Sequence, residues 1–425
     1  MANRNKPLSA QALLTQQAVA VLGQHRDWRR WPPARQIDYL FSVKWAEDFY
    51  DRVGADSAIA QLYVNCVAGR PAAERESMRD FLLALAQRRN ALLTRPELAP
   101  MLAQLGAHYR YRLRDLADWT PQRKNVYAQL ESLVRHLFDQ YGDVPAWVIN
   151  AWTAVRVNNL GFNLPLLTIH LGRGHSLRGF VGRRLPLSKR LEHEMRQAPA
   201  ACTLAEAYRY AQLAARGALA WFGPVLESRL GRHDPGADDA FWLKVVDFFH
   251  ATPMVDPRQF GPVCDWIYQK RHVGIGNEPP QPGFSLKGRS MASLLAHTEA
   301  WHRQLARLPL ARPGDEAWTG LPIPDFVGGE RGEVRITQLT TAAALEAEGR
   351  EMQHCVGSYG YSCRKGRCAI FALRINDKPT ITLEVDKHRF IVQARGRFNR
   401  FMDDEERHWV VRWLGEARLA MGKYI

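Results

Sequence analysis

The spacing of apolar residues changes period near residue 333, and that change restricts the fold more than any other feature of the chain. Upstream, apolar positions recur at the three-to-four-residue spacing of amphipathic helices. Such segments cover residues 9–24, 36–52, 57–67, 75–94, 99–118, 121–141 and 144–157, then 187–197, 203–217, 237–250, 256–270 and 288–307. Gly, Pro and Asp punctuate them, as in YGDVP. Downstream, EVRITQL alternates like a strand, and Thr340 or Thr341 is placed to cap a helix running to about Gln353. Three short strands then fit CAIFALR, PTITLEV and FIVQARG, with tight connections at Asn376-Asp377 and from Asp386 to Arg389. A last amphipathic helix fits 403–420, with Trp409, Val410, Trp413 and Leu414 on one face.

The expected fold class is α+β: a mostly α-helical N-terminal region followed by a small α+β module of helix, three-stranded antiparallel meander and helix. The Pro- and Gly-rich stretches at 271–287 and 308–332 read as linkers. The expected divisions are a helical N-terminal region (1–170), a helical middle region with a basic Gly-rich loop (171–332) and the α+β module (333–425). With 425 residues, several independent cores are affordable. No apolar run approaches a membrane span, and MANRNKPLSA has no apolar signal core, so no membrane partner and a cytoplasmic location are expected.

The formal charge is +15, with 58 Lys and Arg against 43 Asp and Glu. Residues 1–332 hold 42 basic against 31 acidic residues, so the excess lies mainly outside the α+β module. Such a balance points to a polyanionic partner, of which nucleic acid, DNA or RNA, is the commonest. The stretch GRGHSLRGFVGRRLPLSKR (172–190) reads as a basic loop whose Arg173, Arg178, Arg183, Arg184 and Lys189 are candidate phosphate contacts. It is not a P-loop, because no GK[ST] follows the glycines. HRDWRRWPPARQ, with Trp28 and Trp31, is a second basic-aromatic cluster. LEHEMRQ lacks the second His of a zinc protease, Gln197 standing in its place.

Six cysteines give no disulfide framework. Cys66, Cys202 and Cys264 stand alone in apolar helical contexts, whereas Cys355, Cys363 and Cys368 crowd together with C-x7-C-x4-C spacing. That spacing is looser than paired zinc knuckles, and no cofactor or metal is expected. In the hairpin of the second and third meander strands, a turn at Lys387-His388 pairs Leu383 with Val392 and Thr382 with Gln393. Thr382 and Glu384 then share one face with Gln393 and Arg395.

The stretch LEAEGREMQHCVGSYGYSCRKGRCAIFALR, followed by TLEV and VQARGRFNR, resembles the signature of the PcfJ-like family found on plasmids and other mobile elements. The residues that carry it are Glu348-Gly349, Met352, His354-Cys355-Val356, Ser358-Tyr359, Gly366, Gln393, Arg395-Gly396 and Asn399. PMVDPRQFGPVCDWI and AHTEAWHRQL upstream also look like this family. The resemblance implies a place in mobile-element biology but no defined reaction.

Three chemistries remain open for the module. Cys355 is a candidate nucleophile of a hydrolase or transferase, with His354, Glu384, Gln393, Arg395 and Asn399 around it. Against this, Cys355 follows a helix, whose negative end raises a thiol pKa, and no His falls in the second or third meander strand. Alternatively Gln393, Arg395, Arg397, Asn399 and Arg400 form a strip for phosphates and base edges, with Tyr359 or Tyr361 stacking nearby. A non-catalytic adaptor is the third reading. The leading expectation is a nucleic-acid-associated accessory protein.

Overall fold

The computed structural model describes residues 28–150, 152, 160–232, 235–236, 238–307, 317–352, 356–397 and 400–421. The predicted helix 9–24 lies outside them. The chain divides into two compact units, Met1–Ala207 and Tyr208–Ile425.

The first unit is helical among its described residues. Its helices begin where small polar residues satisfy open N–H groups. The side chains of Ser57, Asn125 and Ser188 accept from the amides of Ala60, Ala128 and Leu191 at 3.3, 3.0 and 3.2 Å. The predicted 36–52 segment is two helices, Pro33–Ser42 and Ala46–Val53, and the predicted 99–118 helix ends at His108. Phe81, Leu82, Leu102, Leu133 and Phe138 fill the interior. Two buried indoles are satisfied: Trp147 Nε1 donates to the Met195 carbonyl at 2.9 Å and Trp152 Nε1 to the Thr168 hydroxyl at 2.8 Å. The basic stretch 172–190 is not wholly loop, since Leu177–Val181 forms a short helix capped by Ser176.

In the second unit, helices from Phe222–Glu227 to Met291–Arg307 surround a core of Trp221, Trp242, Val246, Phe249, Phe260, Ile267 and Leu294. A curled six-stranded mixed sheet follows, with spatial order equal to sequence order: β1 (Phe326–Gly328), β2 (Val334–Leu339), β3 (Cys368–Ile375), β4 (Lys378–Asp386), β5 (Phe390–Gly396) and β6 (Ala420–Met421). Neighbours pair antiparallel except β5 with β6, which are parallel. The expected three-stranded meander flanked by two helices is therefore incorrect. β1 comes from the stretch read as a linker, β2 joins the sheet edge-on to β3, and three helices, Ala342–Met352, Gly360–Arg364 and Asp404–Ala417, are interspersed. Thr341 is the cap of the first of these, its hydroxyl accepting from the Ala344 amide at 3.0 Å.

The hairpin register also differs from the simple expectation. β4 ends at Asp386 and β5 begins at Phe390, so the connection has three residues, with Arg389 in the left-handed region at φ 68°. Val385 lies opposite Ile391, but Glu384 lies opposite Gln393, so the register skips Val392 in a β-bulge. Thr382 therefore opposes Arg395 and Leu383 opposes Ala394. Each one-residue shift alone turns β5 over; together they restore the original face. The bulge also explains how Ile391 and Ala394, three apart in sequence, both enter the same apolar core.

That core holds the sheet to the C-terminal helix. Ala369, Phe371 and Leu373 on β3 and Ile381, Leu383 and Val385 on β4 meet Val410, Trp413 and Ala417. Asp403 starts the helix with a complete capping box with Glu406. Trp413 is fully buried, lies 4.7 Å from the Phe371 ring centroid and donates from Nε1 to the Pro324 carbonyl at 2.9 Å. Trp413→Ala is expected to destabilise the protein by about 3–5 kcal/mol, read as a lower urea midpoint; a change below about 1 kcal/mol would show that the helix is not what closes this face.

Candidate functional site

The opposite face of the sheet changes character from one strand to the next. At β3 it is mostly apolar: Cys368 and Ile370 meet Leu345, Val356 and Cys363 beneath the Ala342–Met352 helix. At β4 and β5, cross-strand pairing gathers Thr382, Glu384, Gln393 and Arg395.

Two carboxyl groups from helices approach this polar patch. Glu348, 1% exposed, accepts from the Thr382 hydroxyl at 2.6 Å and lies 3.4 Å from Arg374, which also reaches Glu351 at 2.9 Å. Burial pushes the Glu348 carboxyl above its ordinary range, and the Thr382 hydrogen bond and the Arg374 charge oppose that shift. Arg395 donates to Glu227 Oε2 at 2.9 Å and to its neighbour's carbonyl, Ala394 O, at 3.2 Å. Burial also pushes Glu227 upward, with Arg395 opposing. Because Thr382 and Arg395 face each other across β4 and β5, the groups form one row: Glu348, Thr382, Arg395, Glu227.

Beyond Arg395 the patch opens into a cleft of ≈ 190 Å³. Gln393, Arg395 and Phe401 line one side, and Glu227, Arg229, Arg258 and Asp265 the other. The Arg395 guanidinium sits 4.5 Å from the Phe401 ring centroid, yet Phe401 stays 46% exposed. Arg229 pairs with Asp265 at 2.6 Å and stacks on Tyr268 at 4.3 Å.

Residues 309–411 match the family model described as PcfJ-like protein. This stretch is a PcfJ-like domain. No curated protein and no solved structure matches the chain. The PcfJ-like match includes Glu348, Thr382, Glu384, Gln393, Arg395 and Phe401; it excludes Glu227, Arg229, Arg258 and Asp265, as well as the PMVDPRQFGPVCDWI and AHTEAWHRQL segments.

Of the sequence candidates, Glu384, Gln393 and Arg395 lie together on the polar face of the PcfJ-like domain. His354, Cys355 and Asn399 lie outside the described residues. Cys363 and Cys368 are buried with their sulfurs 3.9 Å apart; the hydrogen bond from Cys368 lowers the Cys363 thiol pKa, against burial. Among the described residues no group of three or more His, Cys, Asp and Glu side chains is arranged to hold a metal ion. Cys66 and Cys264 are buried thiols, the first pushed up to about 12 and the second well above the ordinary value.

The candidate phosphate contacts divide. Arg400 grips Glu406 through two contacts, one at 2.7 Å, and Arg184 donates to the Leu160 and Gly161 carbonyls while lying over the Phe162 ring. Arg178 pairs with Glu192 at 3.8 Å. All seven candidates are exposed, Arg173, Arg183, Lys189 and Arg397 like the three just described. Sequence reasoning missed Glu227 and Phe401 altogether. Glu348 was visible only as part of the family signature, and no local pattern announces that Glu227 meets a residue on β5.

The raised Glu348 pKa makes a pH-dependent contribution to stability. A native carboxyl that keeps its proton to higher pH than the unfolded chain costs stability as pH climbs from its ordinary value near 4.5 through the native pKa. Glu348→Gln cannot titrate, so its stability relative to wild type is expected to rise across that interval. Urea unfolding of both proteins from pH 4.5 upward checks this; a constant difference would show that Glu348 is not held protonated by its site.

Proposed function

We propose that this chain is a nucleic-acid-associated accessory protein of a mobile genetic element. The observation that carries the reading is a PcfJ-like domain within a chain of formal charge +15. Arg173, Arg183 and Lys189 support it: they are exposed on a short stretch around the Leu177–Val181 helix. Cations held in water gain little from internal pairing and attract a phosphate backbone by releasing its counterions. No helix among the described residues is long and apolar enough to cross a membrane.

The test is equilibrium binding of single- and double-stranded DNA and RNA across a salt series. Affinity is expected to fall steeply as salt rises. Replacing Arg173, Arg183 and Lys189 together by Ala is expected to make the log-log salt slope shallower by about two to three, one step of about 0.9 for each lost phosphate contact on duplex DNA. Absence of binding at low salt would overturn the proposal. An unchanged slope in the triple variant would remove this stretch from the interface. Probes shortened during the assay would add a catalytic activity to the binding role.

A further inference from the structure

The cleft beside β5 combines features that a solvated surface does not require. Phe401 lines the cleft, together with prolines and with charged side chains of both signs, and stays 46% exposed. The Arg395 guanidinium, 8% exposed as a residue and tied to Glu227, braces this ring from within. Gln393 lines the same cleft with an amide that both donates and accepts, which matches the edge of a nucleobase. Arg258 stands at the rim with its side chain 72% exposed and paired with Asp256, two residues away, at 3.0 Å. An ion pair so exposed is worth little, so a phosphate exchanges for Asp256 at small cost.

We propose that this cleft seats one unpaired nucleotide of a single-stranded nucleic acid, its base stacked on Phe401, its edge met by Gln393 and its phosphate by Arg258. The proposal rests on the nucleic-acid reading above and narrows it to a strand form and a place. A duplex keeps its base faces stacked on one another, and a cleft of ≈ 190 Å³ is sized for a single ring system rather than a helix. Phe401 offers a face that every base matches, so the site discriminates strandedness more than sequence. The sugar is not read by any of these contacts, so DNA and RNA strands are both ligands.

The experiment uses the full chain with labelled oligothymidylate, oligouridylate and a duplex of equal length across a salt series, the Phe401 variants being compared at one salt of that series. Phe401→Ala is expected to weaken binding of both single strands about tenfold and to leave duplex binding unchanged. Phe401→Trp is expected to bind single strands at least as tightly as wild type. Arg258→Ala is expected to flatten the single-strand salt slope by about 0.7, one phosphate contact. Being half exposed, Phe401 is removable without unfolding, and a thermal melt of each variant checks this; if Phe401→Ala melts early, the Trp and Arg258 variants decide. Single-strand affinity unchanged in both Phe401→Ala and Arg258→Ala overturns the cleft proposal while leaving the basic-surface reading intact. An equal loss on the duplex overturns its single-strand character. A wild-type chain that binds no nucleic acid at low salt overturns both readings.

Discussion

The arrangement of the candidate site depends on one cross-strand pair, Thr382 opposite Arg395. That pair exists because two irregularities act in succession: a three-residue turn with Arg389 at positive φ, and a bulge that passes over Val392. Either alone would send Arg395 into the apolar layer beneath Trp413 and carry Ala394 to the polar face. A buried guanidinium in that layer, without Glu227, would cost several kcal/mol, roughly the scale of breaking a buried ion pair. The hydrophobic demand of Ile391 and Ala394, both in the core, and the charge demand of Arg395 therefore select the same register.

This explains which parts of the molecule were legible in the sequence. Helical periodicity located most helices because each buries one stripe, although their ends moved by several residues. The sheet was read short. β1 spans three residues in a Pro- and Gly-rich stretch and β6 only two, too few to show alternation. The polar face of β4 and β5 was read correctly from an incorrect register, because the missed turn residue and the missed bulge cancel. The Arg395–Glu227 contact was not legible, since it links residues 168 apart and no periodicity reports such a separation.

Counting charges on the sequence also overstates what reaches solvent as free cation. Arg184 ties backbone carbonyls, Arg400 clamps Glu406 at the start of the last helix, and Arg209 is buried against Asp239 at 2.7 Å. These guanidiniums supply the fold with directed donors, which a planar five-donor group does better than an ammonium. Arg173, Arg183 and Lys189 are exposed, and the total alone does not distinguish them from guanidiniums engaged in the fold.

The polar row is difficult to explain as a device for stability. Burying charged groups is costly, and apolar residues of similar volume in their place are often neutral or stabilising. The same sheet shows that this face accommodates the apolar alternative: one strand away, Cys368 and Ile370 pack against Leu345 and Val356. The change from apolar to polar occurs between adjacent strands of one continuous layer, and the polar end is where the cleft opens. Two carboxyl groups raised by burial stand at the ends of a row whose centre is a hydroxyl and a guanidinium. The layer thus holds buried polar groups where packing alone would favour Leu or Val, and at β5 the row leads through Arg395 into the cleft.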